Sequence, residues 1–448
     1  MSIRIRNASV VATMDSNSSE ILDCDIIIED GNIKSVGRDL PAAEEDLDAG
    51  GCVVTPGLVN THHHLFQNLT RSVPASQNAP LFDWLRVNYR IWRHLGPEDM
   101  LVSARLGLAE LALSGCTLSS DHLYLYPNGI RLEDTIEAAG DIGIRFHATR
   151  GSMSIGESAG GLPPDFLVEK EGGILDDCIR VVDEFHDPGH GAMVRVGIAP
   201  CSPFSVSMGL MRDSAALARE KNVMLHTHLA ENDEDIEYGL ANFGCRPGQF
   251  CEDLGWTGSD VWHAHCVKLD KSEIALFAGS KTGVAHCPSS NCRLGSGIAP
   301  LCDMLGSGVP VGLGVDGSAS NDSGNLIAEA RQAMLLQRVR NGAGSLSARE
   351  ALEIATIGGA KVLGRTDVGS IEPGKCADIA IWDVSGLEFA GNWDQVASLV
   401  FCGTGRVRDL LVGGRRIVSG GRLVSCDERK LVEDQLRRVR RLCDILPS

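Results

Sequence analysis

Along the first fifty residues, apolar and polar side chains alternate over short runs: Ile3–Ile5, Asp25–Glu29 and, after an Asp30-Gly31 turn, Asn32–Val36. Alternation with a period of two predicts β-strands joined by tight turns. From Val53 onward the pattern changes. Short apolar runs rich in β-branched residues alternate with stretches of helical period, the order expected of βα units around a parallel sheet. The predicted strands are Val53–Asn60, Thr117–His122, Ile144–Thr149, Val194–Ala199, Val223–Thr227, Val261–His265, Gly283–His286 and Val309–Val315. Pro97–Leu113, with Pro97 at its first position, and Met208–Lys221 read as helices between them. Eight strands separated by helices predict an α/β fold, a (β/α)8 TIM-type barrel.

Beyond helices near Asn321–Val339 and Ala348–Leu363 the pattern returns to strands, at Ala377–Trp382, Val407–Val412 and Arg415–Val418. This late segment is too short for a core of its own. The division expected is a composite β-sandwich from residues 1–52 and 365–425, a barrel over 53–364, and a C-terminal helix over 426–448 whose amphipathic part is Asp427–Leu442. Long inserts follow the first and third barrel strands, Leu65–Leu95 and Gly151–Gly173, and would lie over the barrel's C-terminal face.

Composition narrows the range of functions. With 59 acidic against 41 basic residues the net charge is −18, which repels phosphate backbones and argues against nucleic acid as partner. No apolar run is long enough to span a bilayer, and the N-terminus lacks a signal-peptide core, so a cytoplasmic protein is expected. The fifteen cysteines are scattered and odd in number, which favours reduced, buried thiols over a disulfide framework.

The candidate chemistry gathers at strand ends. The first barrel strand runs into His62-His63-His64, and residues i and i+2 of a strand share a face, so His62 and His64 can both point into the barrel mouth. The fifth strand ends His226-Thr227-His228-Leu229-Ala230-Glu231, the sixth His263-Ala264-His265-Cys266, and the eighth Gly314-Val315-Asp316-Gly317. A barrel collects such ends around one axis. Neutral imidazoles with a carboxylate suit a hydrolytic divalent metal.

These runs, with the late Gly374-Lys375-Cys376-Ala377-Asp378-Ile379, resemble the amidohydrolase superfamily, in its branch of purine, pyrimidine and triazine aminohydrolases. The resemblance covers essentially the whole chain. It implies His62, His64, His228 and Asp316 as ligands of one divalent metal ion, Zn²⁺ first and Fe²⁺ as the other candidate. His63 would point away. Glu231 corresponds to a proton-shuttling glutamate and His265 to a histidine beside the attacking water, with Asp316 sharing in its deprotonation. Binuclear relatives carry a bridging lysine at the end of the fourth strand, and Val194–Cys201 contains none.

Three further runs, around Arg150-Gly151-Ser152-Met153, Ala199–Phe204 and His286–Asn291, resemble 8-oxoguanine deaminases, which also act on isocytosine-like rings. In that group a glutamine and a rim cysteine contact the substrate, and the matching positions are Gln67 and Cys201. The expected substrate is thus a small heterocycle bearing a 2-amino-oxo edge. Hydroxytriazine aminohydrolysis and nucleoside deamination are the alternatives, and an inactive scaffold is the non-enzymatic one. The long first insert offers a homodimer contact, as in relatives. His226 and His263 read as deeper barrel-filling residues, while His122 and Arg150 could touch substrate or serve structure.

Overall fold

The computed structural model of the protein describes residues 2–403 and 405–445, so the last three positions of the predicted 426–448 segment lie outside the described residues. Eight parallel strands close into a barrel: Leu58–Asn60, Cys116–Leu123, Arg145–Ser152, Val194–Pro200, Leu225–Leu229, Val261–His265, Gly283–His286 and Val311–Leu313. They are numbered here one to eight in chain order. Each pairs with its sequence neighbours, and strand eight closes on strand one through Leu313 and Asn60. This is the expected (β/α)8 barrel.

Two strand ends differ from the sequence reading in ways that matter. Val53–Asn60 is not one barrel strand. Cys52–Pro56 belongs to another sheet, antiparallel to Ile379–Asp383 and parallel to Ser2–Ala12, and only Leu58–Asn60 enters the barrel. The break falls at Gly57, where a Cβ would sit 2.2 Å from the Thr117 side chain. Only a residue without a side chain lets the backbone pass from one sheet to the other that close to strand two. Strand five begins at Leu225 and runs to Leu229, two residues later than expected, which puts His228 within the strand.

Strands from residues 2–56 and 379–423 hydrogen-bond into one nine-stranded sheet. Its alternating side chains serve two cores. Val10, Ala12, Val53, Ala380 and Trp382 join the large core shared with the barrel. Val11, Val54, Ile379 and Ile381 turn to the opposite face and form a core within the sheet. Where sheet meets barrel, the buried Arg145 guanidinium grips Asp378 through two bonds of 2.8 and 2.9 Å, and Arg365 grips Asp367 in the same way at 2.7 Å twice.

The insert after strand one contains the helix Leu81–Trp92, pinned by Trp84 Nε1 to the Ala319 carbonyl and by Trp92 Nε1 to Thr70 Oγ1. The C-terminal helix, Glu428–Ile445, reaches back to this region: Gln435 Nε2 donates to the Asn68 carbonyl and Arg441 pairs with Asp99. All fifteen cysteines are free, nine of them buried. Among the described residues no helix is long and apolar enough to cross a membrane.

Candidate functional site

The site sits at the C-terminal ends of the barrel strands. Asn60 ties three of them together beneath it, donating to Ser119 Oγ at 3.0 Å and accepting the Val315 N–H at 2.9 Å. Just above, the Asp316 N–H donates to the His62 carbonyl at 3.1 Å, so strands one and eight present His62 and Asp316 side by side. Asp316, Ala230, His265 and Cys266 all adopt left-handed backbone, at φ of 62°, 50°, 72° and 51°. Non-glycine residues rarely do so. Their clustering at one mouth is backbone strain held by the surrounding fold, a pattern associated with functional sites.

His62, His64, His228 and Asp316 converge. The Nε2 atoms of His64 and His228 lie 3.0 Å apart, and Asp316 Oδ1 is 3.3 Å from the Nε2 of both His62 and His64. The partners on the far side of each ring fix where its proton sits. His64 Nδ1 faces the His122 carbonyl at 2.7 Å and His228 Nδ1 the Cys201 carbonyl at 2.6 Å. A carbonyl only accepts, so both rings carry their proton on Nδ1 and turn bare Nε2 lone pairs toward each other. Two such lone pairs at 3.0 Å repel unless a cation lies between them. His62 Nε2 is likewise buried with no hydrogen-bond partner.

The donor set therefore fits a divalent ion. Ligand bonds of about 2.0–2.2 Å in a tetrahedral site imply donor separations of about 3.3–3.6 Å, close to those found. The donors fall into two overlapping groups that share His62, one with His64, His122 and His228, the other with His265 and Asp316. His122 is already engaged: its carbonyl holds His64, its Nε2 donates to the Ala199 carbonyl at 2.8 Å, and its ring stacks on His228. His63 is absent from both groups and accepts the His64 N–H at its Nδ1. A third group, His190, Asp367 and Cys376, lies at the seam with the sheet. There Asp367 is consumed by Arg365 and by the Gly191 N–H, which leaves little for a cation.

Burial sets the protonation states around the centre. It drives His62, His64 and His228 below their ordinary range, which keeps the rings neutral and able to ligate. Burial also pushes Glu231 up to about 7, aided by Asp316 and opposed by His265. For His265 burial acts downward, but the Glu231 and Asp316 carboxylates outweigh it and raise the ring. His265 Nε2 stands 3.5 Å from Glu231 Oε2 and 3.9 Å from Asp316 Oδ2, while its Nδ1 faces Asn291 Oδ1 at 3.0 Å.

A small cavity opens above these groups. Gln67, Cys201, Glu231, His265 and Asp316 all line it. Gln67 fits only because Gly317 lacks a side chain, since a Cβ there would sit 1.9 Å from Gln67 Oε1, an atom with no partner of its own. Burial pushes the Cys201 thiol up to about 12, so it stays an S–H group. Leu81, Trp84, Leu85 and Tyr89 of the insert helix form the apolar wall opposite. The sequence reading missed this wall, although the spacing of Leu81, Trp84 and Leu85 marks one face of a helix.

Arg150, kept open by sequence, and His263, read as a filling residue, both find structural partners. Arg150 is buried, paired with Glu169 and Asp177 and laid over the Tyr126 ring, away from the cavity. His263 Nε2 donates to the Trp256 carbonyl at 3.0 Å and its ring packs on Phe277, which agrees with a filling role. His226 does not merely fill the barrel: its Nε2 lies 2.8 Å from His62 Nδ1.

Residues 53–417 match the sequence profile of the amidohydrolase family. The chain is 44% identical over 402 residues to an 8-oxoguanine deaminase of Pseudomonas aeruginosa, covering 88% of this chain and 90% of that one. It is 37% identical to an isoxanthopterin deaminase from an unknown prokaryotic organism, over 98% and 96% of the two chains. The crystal structure of atrazine chlorohydrolase TrzN from Arthrobacter aurescens TC1, complexed with zinc, superposes with a TM-score of 0.94 at 36% identity, over 98% and 100% of the chains. The chain belongs to the amidohydrolase family. It is a metal-dependent aminohydrolase acting on C–N bonds.

Proposed function

We propose that this enzyme deaminates a 2-amino-oxo purine or pyrimidine ring, with 8-oxoguanine to urate and ammonia as the principal reaction and isocytosine to uracil as a related one. The observation that carries the reading is the shared lining of one cavity by Gln67 and Cys201 with Glu231 and His265. The extensive identity with an 8-oxoguanine deaminase supports it.

In this reading His62, His64, His228 and Asp316 hold one divalent ion, zinc in the first place and ferrous iron as the other ion that accepts such ligands. The ion supplies water acidified toward a pKa of about 7. With the ion bound, His265 and Asp316 stand where they would take the proton of such a water. Glu231, poised near neutrality by burial, protonates the ring nitrogen next to the amino-bearing carbon. Once oxygen has added to that carbon, the Glu231 carboxylate takes the proton remaining on that oxygen and passes it to the amino nitrogen. The C–N bond then breaks and ammonia leaves as the carbonyl forms, and the proton held by His265 and Asp316 recharges Glu231. The Gln67 amide both donates and accepts, which suits a lactam edge. The Cys201 S–H offers a donor to a ring oxygen, and the apolar wall of the insert helix covers the flat face of the ring.

The test is steady-state ammonia release by zinc-loaded protein on 8-oxoguanine, isocytosine, guanine and hydroxyatrazine. The first two are expected to be turned over with the highest kcat/KM. Ammonia from hydroxyatrazine with none from the first two would replace this reading by the triazine one.

A further inference from the structure

His64 and His228 each rest their outer ring nitrogen on a backbone carbonyl, but His62 rests on another imidazole. We propose that His226 is a positioning residue that fixes the proton and the aim of His62, through a closed circuit of hydrogen bonds joining strands one, five and six. The proposal rests on the reading of His62 as a metal ligand.

That reading forces the protons into one pattern. If His62 ligates through Nε2, its proton sits on Nδ1 and points at His226 Nε2, 2.8 Å away. His226 Nε2 must then be bare, which places its own proton on Nδ1, and there the Trp262 carbonyl waits at 2.9 Å. A carbonyl can only accept, so the pattern agrees from both ends. Were the His226 proton on Nε2 instead, His226 Nδ1 would present a lone pair to that carbonyl. His62 would be left with two facing N–H groups or a proton on Nε2, and could no longer serve as ligand.

Trp262 then closes the circuit. Its indole lies 4.4 Å from the His226 ring at 15° and holds that ring flat. Its Nε1–H donates at 3.1 Å to the carbonyl of Thr61, the residue before His62. The path from Thr61 to His62, His226, Trp262 and back to Thr61 holds the side chain and the backbone of the ligand together. All four residues are fully buried, so water does not compete for these bonds. Hydrogen-bond partners of this kind orient ligands and raise their donor strength, and their loss typically costs about 10–100-fold in metal affinity. An imidazole nitrogen is also a stronger base than a carbonyl oxygen.

The experiment compares zinc affinity, by chelator competition, for the parent, His226→Gln and His226→Leu. Glutamine can accept from His62 at Oε1 and donate to Trp262 at Nε2, whereas leucine keeps bulk and loses both bonds. His226→Leu is expected to weaken zinc binding about 10–100-fold, with His226→Gln restoring most of it. Nitrogen-15 correlation spectra of the zinc-loaded parent are expected to show His62 and His226 both protonated at Nδ1, a signature that packing alone does not produce. Parent-like zinc affinity in His226→Leu, or a His226 proton on Nε2, would overturn the proposal. Should His226→Leu fail to fold, the parent's spectrum decides. A parent that binds no zinc at all would instead refute the metal-site reading beneath it.

Discussion

The barrel mouth and the seam between barrel and sheet both bury charged and polar side chains, yet they treat them in opposite ways. At the seam, Arg145 and Arg365 each meet a carboxylate through two hydrogen bonds, and Asp378 and Asp367 each take a further backbone N–H, from Gly413 and Gly191. At the mouth, His62 Nε2, Gln67 Oε1 and Glu231 Oε1 are buried without partners, and like lone pairs face one another. Burying polar groups costs free energy unless they are satisfied. The seam meets that demand within the protein. The mouth leaves it unmet, as the proposed binding of an ion and a substrate there requires. Both clusters are buried and charged, and what separates them is the pairing of the named carboxylates and guanidinium groups at the seam against the open lone pairs at the mouth.

The sharpest way to test this contrast is to alter the mouth without touching the proposed metal ligands. Glu231→Gln keeps the shape but cannot give up a proton. It is expected to lower kcat about 10²–10⁴-fold while zinc content, measured by elemental analysis, stays at one equivalent. Equal loss of zinc would show that Glu231 belongs with the ligands.

At the seam the effect should appear in stability instead. Asp378→Ala leaves the buried Arg145 guanidinium unpaired, and such losses cost about 3–5 kcal/mol. Chemical denaturation should register this loss, with zinc affinity of the folded variant unchanged. Removing the ion separates the regions from the other side: zinc at about a hundred times its Kd stabilises by about 2.7 kcal/mol. Chelation should lower Tm accordingly in the parent and leave Asp316→Ala indifferent to zinc.

The smallest expected effect concerns Glu329, which lies between the two extremes. Its oxygens accept from the Ser289 N–H at 3.1 Å and from Asn321 Nδ2 at 2.9 Å, yet burial still pushes its carboxyl up to about 7. The folded chain thus holds this proton more tightly than the unfolded chain, so its contribution to stability falls as pH rises from about 4.5 to about 7. Glu329→Gln removes that slope. The stability of the metal-free parent relative to the variant should decline by about 2–3 kcal/mol between pH 5 and pH 8. A constant difference would show that the carboxyl is ionised throughout.

How much of this was legible in the sequence depended on the range of the interaction concerned. Strand ends bearing His62, His64, His228, His265 and Asp316 were legible because alternation and barrel topology are regular. The division at Gly57 was not, because an apolar run reads alike whichever sheet receives it, and only the Thr117 side chain nearby reveals the glycine's purpose. The link from His62 to His226 spans 164 residues and depends on ring orientation, which no local pattern encodes. Arg150 looked equally suited to substrate or scaffold until Glu169, Asp177 and Tyr126 were found around it. The left-handed turns at His265 and Asp316 also escaped, because neither residue announces positive φ as glycine does.

The wall of the cavity has a consequence for how such an enzyme can change over generations. Leu81, Trp84, Leu85 and Tyr89 all belong to one helix, carried on an excursion that contributes no barrel strand. This side of the cavity is therefore carried as a cassette, separable from the groups at the strand ends. Substituting or exchanging that segment can remodel the range of compounds admitted while the reacting groups remain untouched. Selection, natural or in the laboratory, can thus explore new diets one helix at a time.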